Sequence, residues 1–508
     1  MITLDGHNLS LLDLVKIARE GQLITISKES QDLVNKSSDF VEMLVKKGKP
    51  VYGINTGFGH LANVQIQHHE LEKLQENLLK SHACGMKNPL PIETVKAMMA
   101  LRINALIQGH SGIRLDTLNL LVKLLNENII PVVFEQGSLG ASGDLALLSH
   151  MSLPLIGLGE VYYKGVRMPS ARALKQAQIK PLEKLHPKEG LSLINGTQAM
   201  SGIGALVLYD AFKLMKFANL SLSLSMEALE SIIDAFDPKV QSVRKHIGQM
   251  EVAENINNYL KNSKNITHQG DKRVQDAYSI RCAPQVHGAS LDVFHHVLNI
   301  LDIEMNAVTD NPLLFEDDHI AISAGNFHGQ PLALAFDYLA LAISELANIS
   351  ERRIERLVNP KLNDGLPPFL TPCSGVNSGF MIVQYTAASI VSENKVLSHP
   401  ASVDSIPSSA NQEDHVSMGS ISVRKAKDIL ENARRVIALE MFTACQAIHF
   451  RGKDKLGTKT KQAFNFFHKH IPFIEKDDVL YPYMHKMEDL LKDEETYNIL
   501  FKGDDSFE

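Results

Sequence analysis

The sequence predicts a mainly α-helical protein: a long-helix bundle forms the core, and a smaller, mixed N-terminal domain precedes it. Two observations predict this. From about residue 200 onward, Val286 to Ala307, Pro331 to Leu357, Asn377 to Leu397 and Ser422 to Arg451 carry apolar residues at helical spacing. Several of these runs exceed the mean helix of about 11 to 12 residues, and long helices in series point to a bundle that pairs with copies of itself. Ahead of residue 200, short strand-like runs, shorter helices and glycine-rich loops alternate. The division falls at 200, giving residues 1–200 and 201–508. No linker rich in Pro, Gly or Ser separates them, so the core is expected to be shared.

The elements follow in chain order. Leu23 to Ile26 and Pro50 to Ile54 read as short strands, the second running into the glycine-rich loop Asn55-Thr56-Gly57-Phe58-Gly59 with Tyr52 at its mouth. His69 to Ala83 reads as a helix with Leu71, Leu74 and Leu78 on one face; a further step of four places His82 at its end, before Cys84-Gly85. Ile92 to Gln108 and Leu115 to Glu127 read as two more helices. Leu191 to Ile194 is an apolar run stopped by Asn195-Gly196-Thr197-Gln198, whose amides offer both donors and acceptors. Asp237 to Asp276 reads as a polar, loop-like interval.

Composition narrows the function. Of 508 residues 44% are hydrophobic and 21% charged, with a net charge of −7, which argues against a general nucleic-acid or membrane-surface role and toward a small-molecule ligand. The four cysteines lack C-x-x-C spacing, suggesting neither a zinc site nor a disulfide framework. A reducing cytoplasm is the expected location. The N-terminus lacks a basic region followed by an apolar core, so no signal peptide is expected. Leu145 to Gly159, read as the most apolar stretch, is too short for a bilayer, which needs about 20 residues. No H-E-x-x-H or His-x-His pattern occurs, and the pairs His68-His69 and His295-His296 point to different helix faces, so no metal is expected.

The stretch Glu135 to Asp144 carries three glycines at three-residue spacing, with Ser142 among them. It is not the dinucleotide fingerprint, lacks the lysine of a phosphate loop, and has Asp144 where a serine elbow needs glycine. A surface turn is one reading. The other is chemical. If the turn presses the Gly143 amide nitrogen onto the Ala141 carbonyl carbon, a five-membered ring closes. Loss of water from the ring and from the Ser142 hydroxyl leaves a conjugated, electron-poor methylene, an electrophile that ordinary side chains do not supply.

Four polar islands interrupt the helical region: Gln275 to Arg281, Thr309 to Pro312, Gly325 to His328, and Asn411 to His415. Each alone fits a capped helix end or a turn. Together they offer a cation, carboxylates, a phenol and amides.

With Ala141-Ser142-Gly143 joined by Tyr52, Ser81-His82, Asn195, Tyr278 to Arg281, Asn326-Phe327-His328 and Gln412-Glu413, the sequence resembles the aromatic amino acid ammonia-lyases from about Val51 to Gln446. The resemblance implies that Ala141, Ser142 and Gly143 mature autocatalytically to 4-methylideneimidazole-5-one, with no external cofactor. It implies a helical homotetramer whose active sites draw on three subunits. It assigns acid/base work to Tyr52, a second tyrosine near the electrophile to Tyr278, and the substrate carboxylate to Arg281, whose planar two-pronged donor suits it. Asn195, Gln275 and Gln412 would line the site and Phe327 would form an aromatic wall. His82 followed by Ala83, and Glu413 where phenylalanine lyases resemble Asn-Gln-Asp, favour the branch that converts L-histidine to trans-urocanate, the first step of histidine degradation. A carboxylate beside an imidazole accepts its N–H, which a phenyl ring lacks. Ala324 and Leu147 depart from the family pattern; both changes are apolar and local.

Overall fold

Side-chain caps and one-sided apolar spacing settle the N-terminal elements. In the computed structural model, which describes residues 1–502, Ser10 accepts the Asp13 amide and opens the helix Leu11–Arg19. That helix joins two parallel strands, Ile2–Leu4 and Ile24–Ile26, with Ile2 opposite Ile24. Ser27 caps Lys28–Lys47, and Gly48 ends it at φ 67°. The helix Ile92–Leu106 is apolar on nearly every side and buried along almost its whole length, so it forms the centre of this part of the chain.

The chain divides into two compact units. The first comprises Met1–Tyr209 together with two returning segments, Val297–Asp337 and Pro400–Arg424. The second comprises Asp210–His296, Tyr338–His399 and the chain from Lys425 onward. The predominance of helix matches the sequence expectation: Gln198–Ala228, Ala283–Met305, Gln330–Val358, Met381–Leu397 and Gly419–Arg451 are 31, 23, 29, 17 and 33 residues long. Among the described residues the sheets are small, none exceeding three strands.

Three expectations need correction. Pro50 to Ile54 is a set of turns, because the Asn55 side chain accepts from the Val51 amide at 2.7 Å and donates to the Lys49 carbonyl at 2.9 Å, tying the backbone locally. The interval from Asp237 to Asp276 contains the helices Pro238–Ser242 and Ile247–Tyr259. The second buries Val252, Ala253 and Ile256, a stripe too narrow to stand out among polar neighbours. Finally, Glu189–Ala228 and Gln330–Val358 contain windows long and apolar enough to cross a membrane, a property assigned to no stretch from the sequence. The windows are 100% and 67% buried inside the protein, as core helices are.

In the second unit a buried ion pair ties three long helices together. Arg353 reaches Glu440 through Nε to Oε1 at 2.6 Å and Nη2 to Oε2 at 2.7 Å, and Ser225 and Ser350 hydroxyls donate to the same carboxylate. Arg353 Nη1 also donates to the Ser279 carbonyl, within the Tyr278–Arg281 turn. Arg353→Ala leaves the Glu440 carboxylate buried without a cation, so it is expected to cost about 3–5 kcal/mol, read as a lowered urea midpoint.

Candidate active site

The glycine-rich stretch is carried between two fixed points. The strand Phe134–Gln136 pairs with Met86–Pro89 and delivers the chain to Gly137; the helix Leu145–Ser152 takes it away. Between them the backbone makes turns that require glycine. Gly143 has φ 76°, and a Cβ there would stand 2.3 Å from the Gly196 carbonyl oxygen. At Gly140, φ 66°, a Cβ would meet the Ser417 hydroxyl at 2.4 Å.

Asp144 clamps the stretch from below. Its amide donates to the Gly196 carbonyl at 2.7 Å. Its buried carboxylate accepts from the Ser138 and Ser420 hydroxyls at 3.1 and 2.9 Å, and from the Met200 amide at 2.8 Å, at the open N-terminus of the helix Gln198–Ala228. Burial pushes this carboxyl up to about 6 despite those donors. On the other side, the Ser417 hydroxyl donates to the Gly140 carbonyl at 2.9 Å and the Met418 amide to Leu139 at 2.8 Å.

Ser142 is held at both polar ends. Its hydroxyl donates to Glu413 Oε1 at 2.7 Å, a contact between residues 271 apart in sequence. Its carbonyl accepts from Asn195 Nδ2 at 2.7 Å, while Asn195 Oδ1 is buried with no hydrogen-bond partner. Glu413 Oε2 accepts from the Ser408 hydroxyl at 2.9 Å.

These groups open onto a cavity of about 470 Å³ lined by Tyr52, His82, Ser142, Asn195 and Glu413, with Leu74, Leu78, Leu145 and Ile194 among its apolar walls. His82 is the last residue of the helix Leu71–His82, and its Nδ1 lies 3.0 Å from the Ser81 hydroxyl. Burial lowers its imidazole pKa, against the opposing pull of the Glu413 charge. Burial raises the Tyr52 phenol, with the Glu413 and Asp310 charges adding to it, while the Gly59 amide donating at 3.3 Å works the other way. Among the described residues, no Lys or Arg lines the cavity.

The remaining expected residues lie elsewhere. Phe327 is half-buried and Gln412 exposed in the same unit, and neither lines this cavity. Gln275 and Arg281 line a separate cavity of about 380 Å³ within the second unit. There Arg281 Nε donates to the Asp276 carbonyl at 2.9 Å, and its guanidinium stands 4.6 Å from the centroid of the Tyr278 ring, which is 70% exposed. The supporting residues Ser138, Ser408, Ser417 and Ser420 carry no local signal; only the fold brings them here.

The Ala141-Ser142-Gly143 cradle fits ring closure. A side chain at position 143 would strike Gly196, the hydroxyl whose loss would complete the ring is gripped by Glu413, and the carbonyl of Ser142 is fixed by Asn195.

The profile of the aromatic amino acid lyase family matches residues 9–469. The chain belongs to this family. It is 54% identical to histidine ammonia-lyase of Symbiobacterium thermophilum over 486 residues, covering 96% of each chain. Among solved structures, the histidine ammonia-lyase of Trypanosoma cruzi matches with a TM-score of 0.91 at 41% identity, covering 98% of this chain and 94% of that one. Tyrosine aminomutase of Streptomyces globisporus matches at 0.95 and 34% identity, covering 98% of both. The aminomutase superposes at least as well as the lyase, so the fold does not choose between those chemistries within the family.

Proposed function

We propose that this chain is a carbon–nitrogen lyase that eliminates ammonia from L-histidine without oxidation, giving trans-urocanate, the first step of histidine degradation. One observation carries the reading: Glu413 and His82 share a cavity with Ser142, and Glu413 touches its hydroxyl at 2.7 Å. The relatives named as histidine ammonia-lyases, at about half identity across nearly the whole chain, support it.

Ala141, Ser142 and Gly143 supply 4-methylideneimidazole-5-one, formed by the chain itself with loss of two waters. Once formed, that group supplies the electrophile that eases loss of the barely acidic β-proton or of the poorly leaving amine. Glu413 accepts the substrate's imidazole N–H, and His82, neutral through burial, completes the pocket for that ring. The partnerless Asn195 Oδ1 accepts from the substrate ammonium. Tyr52 enters as a neutral phenol, because burial and two carboxylate charges oppose its ionisation, and so serves as a proton donor.

The substrate carboxylate needs a cation that this cavity lacks among the described residues. We assign it to Arg281 of another subunit in a cytoplasmic homotetramer, with Tyr278 and Gln275 beside it and Phe327 and Gln412 completing the wall. Ser142→Ala and Arg281→Ala chains, each inactive alone, are then expected to regain activity when unfolded together and reassembled, because some sites receive both native residues. No recovery would contradict shared sites.

The direct test is to give the purified protein L-histidine, L-tyrosine and L-phenylalanine in separate reactions and follow each product by ultraviolet absorbance. Urocanate from L-histidine is the expected product. Product from either of the other two amino acids alone would replace histidine as substrate.

A further inference from the structure

Glu413 has two oxygens and, in this chain, two hydroxyl donors. Ser142 Oγ occupies Oε1 at 2.7 Å and Ser408 Oγ occupies Oε2 at 2.9 Å. If Ser142 loses its hydroxyl on maturation, which is the reading proposed above, Oε1 is vacated and Ser408 becomes the remaining donor of the pair.

The segment around Ser408 is built to hold that geometry. Ser408 and Glu413 pair through their backbones, with the Ser408 amide donating to the Glu413 carbonyl at 2.9 Å and the Glu413 amide returning the bond at 3.3 Å. Between them Ser409, Ala410 and Asn411 have φ of 51°, 52° and 68°, three successive non-glycine residues in the left-handed region. Such a run is strained and persists where surrounding contacts enforce it. Gly59 marks one enforcing contact: a Cβ there would stand 2.5 Å from Ser409 Oγ, so the Tyr52–Gly59 loop packs directly against this turn.

We propose that Ser408 is a positioning residue for Glu413: its hydroxyl fixes Oε2 so that Oε1, freed of Ser142, faces the substrate's imidazole N–H. The strained turn sets the carboxylate's height in the cavity, and Ser408 sets its rotation. The titratable groups facing Glu413 across the cavity are Tyr52 on the preceding loop and His82 at its helix end; among the described residues no Lys or Arg lines the cavity. Ser408 is therefore the hydroxyl left to hold the carboxylate's orientation.

The experiment compares the parent with Ser408→Ala and Ser408→Thr. Intact mass comes first. A parent that is not two waters lighter than its sequence removes the electrophile reading on which this inference rests, and does so independently of Ser408. In a parent that has matured, Ser408→Ala is expected to lower kcat/KM for L-histidine about tenfold, the scale of one hydrogen bond to a charged group. Ser408→Thr keeps the hydroxyl and is expected to restore kcat/KM to the parent value.

A second readout needs no mature group. In a Ser142→Ala background, adding Ser408→Ala is expected to weaken L-histidine binding by about tenfold in calorimetry, for the same lost bond. This arm decides the matter even where Ser408→Ala alone fails to mature. Unchanged histidine affinity there, or a threonine variant as impaired as the alanine one, would overturn the proposal.

Discussion

Ser142→Ala is expected to abolish urocanate formation, leaving no rise in ultraviolet absorbance above a protein-free control. On the proposed reading, loss of the Ser142 hydroxyl creates the electron-poor methylene, so no other group in the cavity can substitute for it. Removing it also frees Glu413 Oε1 from its 2.7 Å partner without disturbing the supports of the loop. Those supports, Asp144 on the Gly196 carbonyl and Met200 amide and Ser417 on the Gly140 carbonyl, involve no atom of the Ser142 side chain. The variant is accordingly expected to fold like the parent and melt at a similar temperature. Residual turnover near the parent level would mean that the reaction needs no self-made electrophile.

Glu413→Gln is the second large effect. Glutamine keeps the shape and one acceptor oxygen but gives up the charge that favours binding an imidazole N–H. It also replaces the oxygen that accepts from Ser142 or Ser408 with an amide that cannot accept. A hydrogen bond to a charged group is worth about 1.5–3 kcal/mol, so a loss of kcat/KM for L-histidine of about 10- to 150-fold is expected. Steady-state kinetics check it, and unchanged histidine turnover would remove Glu413 from imidazole recognition.

Much of the helical core was legible because apolar residues sustained at helical spacing over many turns suit a helix and little else. The four long runs read from the sequence reappear within a few residues as Ala283–Met305, Gln330–Val358, Met381–Leu397 and Gly419–Arg451. Short, locally capped segments were not legible. Hydrophobic pattern alone places Tyr52 on a strand, yet Asn55 ties that backbone into turns through side-chain bonds that such a pattern does not register. The returning segments Val297–Asp337 and Pro400–Arg424 were also invisible, since nothing in their composition says which unit they join.

At the site, the residue types were readable and their supports were not. Ala141-Ser142-Gly143 has a chemical meaning as a tripeptide, and the resemblance attached Tyr52, His82, Asn195 and Glu413 to it; all four line one cavity with Ser142. Ser408, Ser417 and Ser420 are ordinary serines until the chain brings their hydroxyls to 2.9 Å from Glu413, Gly140 and Asp144. Arg281 and Tyr278 belong to the second unit and line no part of that cavity.

The central claim is that this chain builds its own electrophile from Ala141, Ser142 and Gly143. Intact-mass spectrometry of the purified, unreacted protein tests it most directly. The account predicts a chain two waters lighter than its sequence, with Ser142→Ala lacking that loss. A parent chain at its full unprocessed mass, while still converting L-histidine to urocanate, would contradict it.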